Sequence, residues 1–488
     1  MTSDYKKYCA LAIVIFLIKI LLITIHPFHH PSEIRYASIS MRMALSDNYL
    51  MPFFTPTIPF LGKPPLSFWA SAVSFKAFGF NEFAGRLPHL LAIFASCFLL
   101  FNFITKISDK RTAIIAVIIL LSCPLIYAID SVMTEAFLLL GMTMITTSFW
   151  LQMQSPKPKN FYGYLFFFGC VIATLTKGLV GIAMTGLPIF VYLIVSSRFR
   201  EFFKKFPIIL GSLIFIFLAV PWFILAEMKY PGFLEYFFIG ENFDRFAKPG
   251  WTGDRYGNAH RVPIASIWLF FILTALPVFF IFFTKPKTLI LEFYKRLKDK
   301  NNQTFLFFFI SFLLPLIVLT FTRNMVMTYT IYALVPFVIL MTLIFTENNW
   351  NKFISFLAYL TVIANLVAVI LFVVQPQHLM QRLNCQDYLI RHIPKTELQK
   401  NDFELYYLGK KTRVFTLYWY AKDKVKLLDQ NSFAEFSKAA IAEKKYVIGD
   451  LDEYLLLPKN YQAQLNQTLC SINYKNRNRT TCLFESNS

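Results

Sequence analysis

Eleven long apolar runs dominate the chain and alternate with short polar connections. They lie at 8–26, 88–105, 111–128, 132–150, 161–176, 179–196, 206–226, 262–284, 303–321, 328–346 and 351–374. A helix of about 17–25 predominantly apolar residues can cross the hydrocarbon core of a bilayer. The pattern therefore predicts an α-helical polytopic membrane protein with about eleven to thirteen transmembrane helices.

The composition supports the same class. Of 488 residues, 56% are hydrophobic and only 16% are charged, and the mean hydropathy is +0.51. Soluble domains are closer to a quarter charged. The net charge of +20 fits basic loops that face anionic lipid headgroups, so we expect membrane lipids as partners and no nucleic acid.

The charge pattern of the short connections predicts the orientation. The first run is not followed by a small-residue cleavage site, so we expect an anchor rather than a removed signal peptide. Basic residues cluster in every second connection, as in those that contain Lys106, Lys157, Arg198 and Lys285. Such loops face the cytoplasm. The N-terminus is then cytoplasmic, and the loops 26–87 and 227–261 and the tail lie outside.

The tail has a different pattern, which predicts a second domain. "DFELYYLG", "VFTLYWYA" and "KKYVIGD" have the alternation and residue types of strands, and "NSFAEFSKAAIAEK" has the period of an amphipathic helix. We therefore expect a transmembrane domain over residues 1–374 and an external α+β domain over residues 375–488.

Two cysteines of the tail are candidates for a disulfide. Cys470 and Cys482 would lie in an oxidising compartment, and a bond between them would close a twelve-residue loop and stabilise by about 3 kcal/mol. Two free thiols are an equal alternative, because Cys385 makes the number of tail cysteines odd.

The first external loop carries the main candidate chemistry. Glu33, Arg35, Lys63 and Arg86 lie between amphipathic segments that can lie in the plane of the interface. Two prolines follow Lys63 and restrict its backbone. A lone arginine here would most simply be a solvated anchor, but paired cations near the headgroup layer suit a phosphate.

Further charges lie at other external helix ends. Asp130 lies between two apolar runs, where a carboxylate is costly and hence a functional candidate. Its alternative role is a helix N-cap. Lys177 and Arg323 lie at two more external junctions. Together these residues predict a site for an anionic, lipid-linked substrate.

The order of these motifs resembles a known family. Pro31-x-Glu33-x-Arg35-Tyr36-Ala37 is followed by Lys63-Pro64-Pro65-Leu66, "FGFNEFAGRLP", Asp130, Thr176-Lys177-Gly178, "GENFDRF" and "AHRVP". This pattern resembles the GT-C membrane glycosyltransferases, specifically the bacterial lipid A aminoarabinose transferases and their protein mannosyltransferase relatives. The resemblance extends to about Pro336, and in the tail it concerns only the architecture.

The resemblance implies a function and roles for individual residues. It implies transfer of a sugar from a polyprenyl phosphate to a lipid acceptor at the periplasmic face of the bacterial inner membrane. Arg35, Lys63 and Lys177 would bind the donor phosphate, and Glu33 and Asp130 are the candidate catalytic carboxylates. The implied substrate-binding residues are Tyr36, Arg86, Glu241, Arg245, His260, Arg261, Arg323 and Tyr329. A histidine hydrogen-bonded to backbone is the alternative for His260.

Two acids of the family pattern are missing. Ser32 stands where the family has an aspartate, the best candidate for a catalytic carboxylate. Gly62 stands where it has a glutamate, the candidate metal ligand. His26, His29 and His30 can offer metal ligation, although an interfacial patch is the simpler role. We therefore assign no cofactor or metal.

The missing aspartate favours one acceptor. A hydroxyl acceptor needs a base, whereas a phosphate monoester is already largely an oxyanion at neutral pH. We therefore expect transfer of an amino sugar to a lipid A phosphate. Three alternatives remain, namely a protein or polysaccharide glycosyltransferase, an inactive relative that acts as a lipid-binding subunit, and a flippase. Against a flippase, the sequence has no repeated halves.

Overall fold

The computed structural model describes residues 3–28, 30–158, 161–248, 250–256, 260–374, 385–398, 400, 403–409, 414–428, 432–442, 445–473 and 479–486. Most of these residues are helical, and a mixed β-sheet lies near the C-terminus. The predicted class, a helical membrane fold with a small α/β unit in the tail, is confirmed. His29, considered above as a metal ligand, lies outside the described residues.

The chain up to residue 374 is built from helices. They are α1 (Ser3–Ile25), α2 (Pro31–Ser46), α3 (Leu66–Phe78), α4 (Glu82–Ile107), α5 (Lys110–Ser122), α6 (Leu125–Ile129), α7 (Glu135–Gln154), α8 (Phe161–Lys177), α9 (Leu179–Val195), α10 (Phe199–Lys205), α11 (Ile208–Lys229), α12 (Arg245–Ala247), α13 (Ser266–Thr274), α14 (Leu276–Phe279), α15 (Ile281–Thr284), α16 (Pro286–Lys298), α17 (Gln303–Thr320), α18 (Ile331–Glu347) and α19 (Asn351–Val374). A π-helix (Glu235–Asp244) precedes α12, and a 3₁₀ turn (Met327–Thr330) precedes α18.

Seven of the described helices are long and apolar enough to cross a bilayer: α1, α4, α7, α11, α17, Met327–Glu347 and α19. The pair Ser266–Thr274 and Leu276–Thr284 is an eighth candidate but bends by 95°. α8 and α9 are apolar but shorter. Every predicted run is helical, yet the count is below the predicted eleven to thirteen. Prolines explain part of the shortfall, because Pro124 and Pro277 break two of the runs.

Two helices, α2 and α3, form from the first loop. His30 caps α2 by accepting the backbone N–H of Ser32 at 3.2 Å, and Pro31 takes the first helical position, where its missing N–H costs nothing. Pro65 likewise precedes α3. These helix boundaries place Lys63 on the turn directly before α3.

One hydrophobic core joins these external helices to the tail. The ring of Trp419 packs against Phe28 and Phe75, with centroids 4.9 Å and 5.3 Å apart. The ring of Phe415 lies 4.8 Å from that of Phe54. The tail is therefore packed onto the loop that carries the candidate site, rather than tethered beside it.

The tail sheet has the strand order β2-β1-β3-β5-β4. Its strands are β1 (Leu405–Leu408), β2 (Val425–Leu427), β3 (Tyr446–Asp450), β4 (Leu465–Asn473) and β5 (Arg479–Ser486). β1 pairs in parallel with β2 and β3, whereas β5 is antiparallel to β3 and β4. The tail helices are Cys385–Ile390, Lys395–Leu398, Phe415–Tyr420, Phe433–Ala442, Leu451–Leu455 and Lys459–Gln462.

The strand predicted for "VFTLYWYA" is wrong. This segment forms the helix Phe415–Tyr420, which packs against α2. Phe415, Leu417, Tyr418 and Trp419 are all buried, and tertiary burial of this kind overrides the strand preference of aromatic residues. Cys470 and Cys482 are paired directly across β4 and β5 and form a disulfide.

An ion pair also fixes the tail to α2. The guanidinium of Arg42 donates to both carboxylate oxygens of Asp423, at 2.7 Å and 2.6 Å, and to the carbonyl of Phe53 at 2.6 Å. Ser38, one turn earlier on α2, donates to the carbonyl of Phe415. Helix α2 thus contacts the tail at two successive turns.

Candidate active site

Lys63, at the turn before α3, makes one short and one long contact. Its ammonium donates to the carbonyl of Gly62 at 2.7 Å and lies 3.4 Å from Oε2 of Glu241. Burial lowers the pKa of the Lys63 ammonium, against the opposing charge of Glu241. Arg245 and Lys177 lower this pKa further, so three cations influence one another here.

The π-helix supplies Glu241. Its i→i+5 hydrogen bonds bring residues five apart next to each other, and such segments are frequent at functional sites. Tyr236 accordingly donates its hydroxyl to Oε1 of Glu241 at 3.0 Å, and Arg245 donates to Oε2 at 2.8 Å. Burial opposes ionisation of Glu241, but Lys63 and Arg245 outweigh it and lower the pKa of this carboxyl.

A second buried pair lies at the ends of two membrane helices. Lys177, the last residue of α8, donates to Oε1 of Glu135, the first residue of α7, at 2.9 Å. Thr328 donates to the same oxygen at 3.3 Å. The ammonium of Lys177 also lies 5.0 Å from the centroid of the Tyr329 ring. This pair therefore brings α7 and α8 to the turn before α18.

The pKa of Tyr36 responds to both of these pairs. Burial raises the pKa of its hydroxyl to about 12, and the charge of Glu135 adds to this effect, while Arg35 and Lys177 oppose it. Glu241 also raises this pKa. We call the five charged residues of these contacts the charged cluster: Lys63, Lys177, Arg245, Glu135 and Glu241.

Arg35 lies beside the charged cluster among aromatic rings. Its guanidinium carbon is 5.8 Å from the Phe54 ring centroid and 5.5 Å from that of Phe415, and it donates to the carbonyl of Tyr256 at 3.2 Å. Its Nε is buried without a hydrogen-bond partner. Tyr256 accepts the backbone N–H of Leu61 at 2.9 Å, which holds the Lys63 turn in place.

Glu33 and Arg86 form a separate, fully saturated pair. Arg86 donates to both oxygens of Glu33, at 2.6 Å and 3.0 Å, and also to the carbonyls of His26 and Pro27. Glu33 has no exposed surface and accepts the backbone N–H of Val132 at 3.2 Å. The structure thus brings these two predicted residues together, but with each other rather than with Lys63.

Asp130 is paired with a residue that sequence reasoning missed. Oδ2 of Asp130 accepts a hydrogen bond from Lys19 at 2.7 Å. Lys19 is in the first membrane helix and is completely buried, whereas the Asp130 side chain is 18% exposed. The sequence did contain a signal for Lys19, because charged residues inside membrane helices are rare and usually functional.

The residues predicted from the second loop and from the turn before α18 meet through backbone. The N–H of Val262 donates to the carbonyl of Arg323, and that of Met325 donates to the carbonyl of His260. The side chains of His260 and Arg261 are exposed, and that of Arg323 is half-buried. The amide of Asn324 donates to the carbonyl of Arg245 at 2.8 Å, which fixes Arg245 in the charged cluster.

Glu135 was also missed as a site residue. It lies five residues after Asp130, in "SVMTEAF", a segment interpreted above only as a helix start. The available signal was an acid at the first position of a membrane helix, next to a lysine-ended helix. Which carboxylate would meet Lys177 depends on packing between α7 and α8, which the sequence does not give.

The family's acidic position before Lys63 is filled by aromatic rings. A Cβ added to Gly62 would lie 3.2 Å and 3.3 Å from atoms of the Phe60 ring and 3.4 Å from the Tyr256 ring. Within the described part of the chain, no three histidine, cysteine, aspartate or glutamate side chains converge as metal ligands do. The donor set therefore does not fit the metal site implied by the resemblance.

The membrane helices, the external α2 and α3 and the tail sheet together define a polytopic membrane protein with the GT-C fold. ArnT from Cupriavidus metallidurans bound to undecaprenyl phosphate superposes with a TM-score of 0.72 at 18% identity, over 98% of this chain and 97% of that one. The archaeal oligosaccharyltransferase AglB from Archaeoglobus fulgidus superposes with a TM-score of 0.53 at 11% identity, over 92% and 70%. At these identities the likeness shows the shared fold.

The sequence comparisons indicate which GT-C proteins this chain is similar to. Residues 62–225 match the dolichyl-phosphate-mannose-protein mannosyltransferase family. The undecaprenyl phosphate-alpha-4-amino-4-deoxy-L-arabinose arabinosyl transferase of Erwinia tasmaniensis is 30% identical over 222 residues, or 45% of this chain and 40% of that protein. Its Yersinia pestis counterpart is 24% identical over 326 residues, or 65% and 56%. The matches thus span about half of each relative. This chain is a GT-C membrane protein similar to the aminoarabinose transferases.

Proposed function

We propose that this protein is a glycosyltransferase that moves a sugar from a polyprenyl-phosphate donor to a lipid acceptor. The acceptor is a phosphate of lipid A, the sugar is an amino sugar, and the reaction takes place at the periplasmic face of the inner membrane. The observation that carries the proposal is the charged cluster, in which three cations meet at the junction of external and membrane helices. The donor named for the similar proteins supports the substrate class.

The donor phosphate binds to Arg35, Lys63 and Lys177. The 3.4 Å contact between Lys63 and Glu241 is long for a hydrogen bond, so the ammonium can turn towards a phosphate oxygen. Arg35 offers a buried N–H without a partner, and an anion that accepts it removes the cost of leaving it unsatisfied. Glu135 and Glu241 keep the cations charged and in position until the donor arrives.

Transfer is a displacement at the anomeric carbon of the donor sugar. The acceptor oxygen forms a bond to that carbon while the bond from the carbon to the phosphate oxygen breaks. The electron pair of the broken bond leaves on the polyprenyl phosphate, which gains negative charge. Arg35 and Lys63 stabilise that developing charge, the effect that usually contributes most to such catalysis.

A phosphate acceptor agrees with the missing aspartate at Ser32. A phosphate monoester has a second pKa near 6 and needs no base before it attacks. A hydroxyl acceptor on protein or polysaccharide is the second candidate, favoured by the match of residues 62–225 to the mannosyltransferase family. In that case the hydroxyl proton must pass to a carboxylate, and Glu135 is the one we assign.

Of the two carboxylates expected to act on the sugar, Asp130 is the better placed. Glu33 has no exposed surface and both of its oxygens are occupied by Arg86. Asp130 keeps part of its surface on a cavity. We therefore assign Asp130 to a substrate sugar and assign Glu33 and Arg86 to positioning the start of α2.

The orientation of the chain is tested by cysteine labelling. We expect residues 204 and 298 to react only with reagents that enter the cytoplasm, and residue 422 to react from the periplasm, because the basic loops are retained inside. Labelling of residue 422 from the cytoplasm would place the tail and the charged cluster on the wrong side for the proposed reaction.

Mass spectrometry of lipid A tests the function itself. A strain without this protein should lack a sugar on a lipid A phosphate, and the wild-type gene should restore it while Lys63→Ala should not. Loss of a glycan from protein or polysaccharide, with unchanged lipid A, would favour the second candidate. An unchanged set of glycans would instead favour an inactive relative.

A further inference from the structure

A cavity of about 440 Å³ lies beside the charged cluster, between the first and last membrane helices. Residues of α1, of α19 and of the segment after α5 line it. Its lining includes Leu22, Ile23, Tyr127, Asp130, Ala368 and Phe372. Most of this surface is apolar, with polar and charged side chains among the lining residues.

Asp130, one of the polar lining residues, is paired with Lys19. The ammonium of Lys19 donates to Asp130 at 2.7 Å and lies 4.2 Å from the ring centroid of Tyr127. Burial of a lysine in a membrane helix is unfavourable in free energy, and the ion pair with Asp130 offsets this. The same contact fixes one carboxylate oxygen of Asp130. The partly exposed carboxylate then presents an acceptor to the cavity.

The remaining polar lining suits hydroxyl groups. Arg86 and Glu33 neutralise each other, and the rings of His26 and His30 also line the cavity. A sugar hydroxyl both donates and accepts, whereas an ammonium group only donates. A phosphate would be repelled by the Asp130 carboxylate. Among the described lining residues, the cation Arg86 is already neutralised by Glu33.

Apolar side chains of α1 and α19 line the cavity, among them Leu22, Ile23 and Phe372. The two helices pack against each other, and both carry exposed large hydrophobic residues, such as Ile20 and Ile370. Such side chains on membrane helices are covered by lipid. An amphipathic ligand with a hydroxylated head matches the mixed lining of the cavity.

The cavity also shares a wall with the charged cluster. Thr328 lines the cavity, and its hydroxyl donates to Glu135 at 3.3 Å. Glu135 in turn holds Lys177, assigned above to the donor phosphate. A lipid head in this cavity is therefore separated from the donor site by one layer of side chains.

We propose that this cavity binds the sugar hydroxyls of the glycolipid acceptor. Asp130 accepts a hydrogen bond from the acceptor sugar, and the intramembrane Lys19 is a positioning residue that orients Asp130. The assignment rests on the proposed function, because it supplies the acceptor to the same reaction.

Photo-crosslinking in nanodiscs tests the proposal without any sugar transfer. The full chain carries a benzophenone amino acid in place of Ala368, and the nanodiscs contain phosphatidylethanolamine, phosphatidylglycerol and a small fraction of lipid A. We expect a lipid A adduct by mass spectrometry from position 368. The matched control is the same substitution of Ile370, which lies on the lipid-facing side of the same helix and should give only phospholipid adducts.

Two further variants test whether lipid A binding depends on the cavity and on the ion pair. Ala368→Trp, which fills the cavity, and the charge-free double variant Lys19→Met with Asp130→Asn should each lower lipid A adducts about tenfold from a probe at Leu22, since a hydrogen bond to a charged group is lost or blocked. Phosphatidylethanolamine adducts alone at position 368, or equal lipid A adducts at 368 and 370, would overturn the proposal. Crosslinking to lipid A without sugar transfer to it would contradict the proposed function but would still support lipid A binding in the cavity.

Discussion

Two carboxylate–cation pairs of the external region differ in how completely they are satisfied. In the Glu33–Arg86 pair, both carboxylate oxygens are occupied, the arginine also reaches backbone carbonyls, and the glutamate is fully buried. In the Lys63–Glu241 pair, the two groups are 3.4 Å apart and the Lys63 side chain is 20% exposed.

On the proposed function, the difference separates a structural pair from a phosphate-binding pair. A buried ion pair is stable only when further hydrogen bonds satisfy both partners, which leaves nothing to offer a substrate. The ammonium of Lys63 makes a short bond to the carbonyl of Gly62 and a long one to Glu241, so it can exchange the carboxylate for a phosphate at little cost. Both pairs join a glutamate to a cation of the loop 26–87, and their different geometry is the basis for the two proposed roles.

Breaking the saturated pair should have the largest effect. Glu33→Ala leaves the Arg86 guanidinium buried and unpaired, which costs about 3–5 kcal/mol, so we expect poor yield and a sharply lower thermal unfolding midpoint in detergent. The unfolding midpoint of Glu33→Gln should lie between those of Glu33→Ala and the wild type. A Glu33→Ala protein of normal thermal stability that had lost only transfer would assign Glu33 to catalysis instead.

Removing the binding cations should affect transfer and not stability. Lys63→Ala leaves Glu241 bonded to Arg245 and Tyr236, so we expect an unchanged unfolding midpoint and a transfer rate lower by about 10²–10³-fold, as for loss of one charge-stabilising donor. Arg35→Ala should behave alike, and Lys63→Arg should lose less.

Lys76 is the matched control for these variants. It is a lysine of the same external loop, exposed on α3 and paired with Asp47. Lys76→Ala should retain full transfer in the same assay. If both Lys63→Ala and Arg35→Ala kept near wild-type rates, the donor-phosphate site would have to lie elsewhere.

A third pair lies between these extremes. Arg42 makes a bidentate contact with Asp423 and a bond to Phe53, but part of the Asp423 surface is exposed. We expect Asp423→Ala to lower stability by about 1–3 kcal/mol, the cost of an unsatisfied buried group. Limited proteolysis should then cleave the tail faster, with Asp452→Ala, on the exposed side of the tail, as the control. Unchanged cleavage would show that the aromatic core alone holds the tail.

The smallest effect concerns pH. Because burial lowers the pKa of Lys63, its charge should be lost at a pH below the usual lysine value of about 10.4. Donor binding should therefore weaken as pH rises through that lowered pKa, seen as a several-fold rise in KM, while the acidic side is unaffected by this group. Lys63→Arg should move the alkaline limb upward, since arginine stays charged. An identical limb in both proteins would exclude Lys63 as its source.

Sequence patterns predicted the membrane class. Long apolar runs can be recognised without tertiary information, because the length of a helix and the thickness of a bilayer define them. Arg35, Lys63 and Lys177 were singled out from their charge in the first loop and at a helix end, whereas Glu241 and Arg245 came from the family resemblance. Their roles at the site stay predictions. The failures had physical causes. "VFTLYWYA" is a helix because it is buried against α2, and prolines shortened two of the membrane runs.

The sequence by itself determined which residue types stand at the external ends of the membrane helices, and hence that an anionic lipid-linked substrate is expected. Only the tertiary structure decided which charges face each other. It joined Glu33 to Arg86 and Asp130 to Lys19, and it left Lys63 with a weak partner. The physical reason is that ion pairing depends on distances of a few ångströms between helices that are far apart in the chain, and no local pattern encodes those distances.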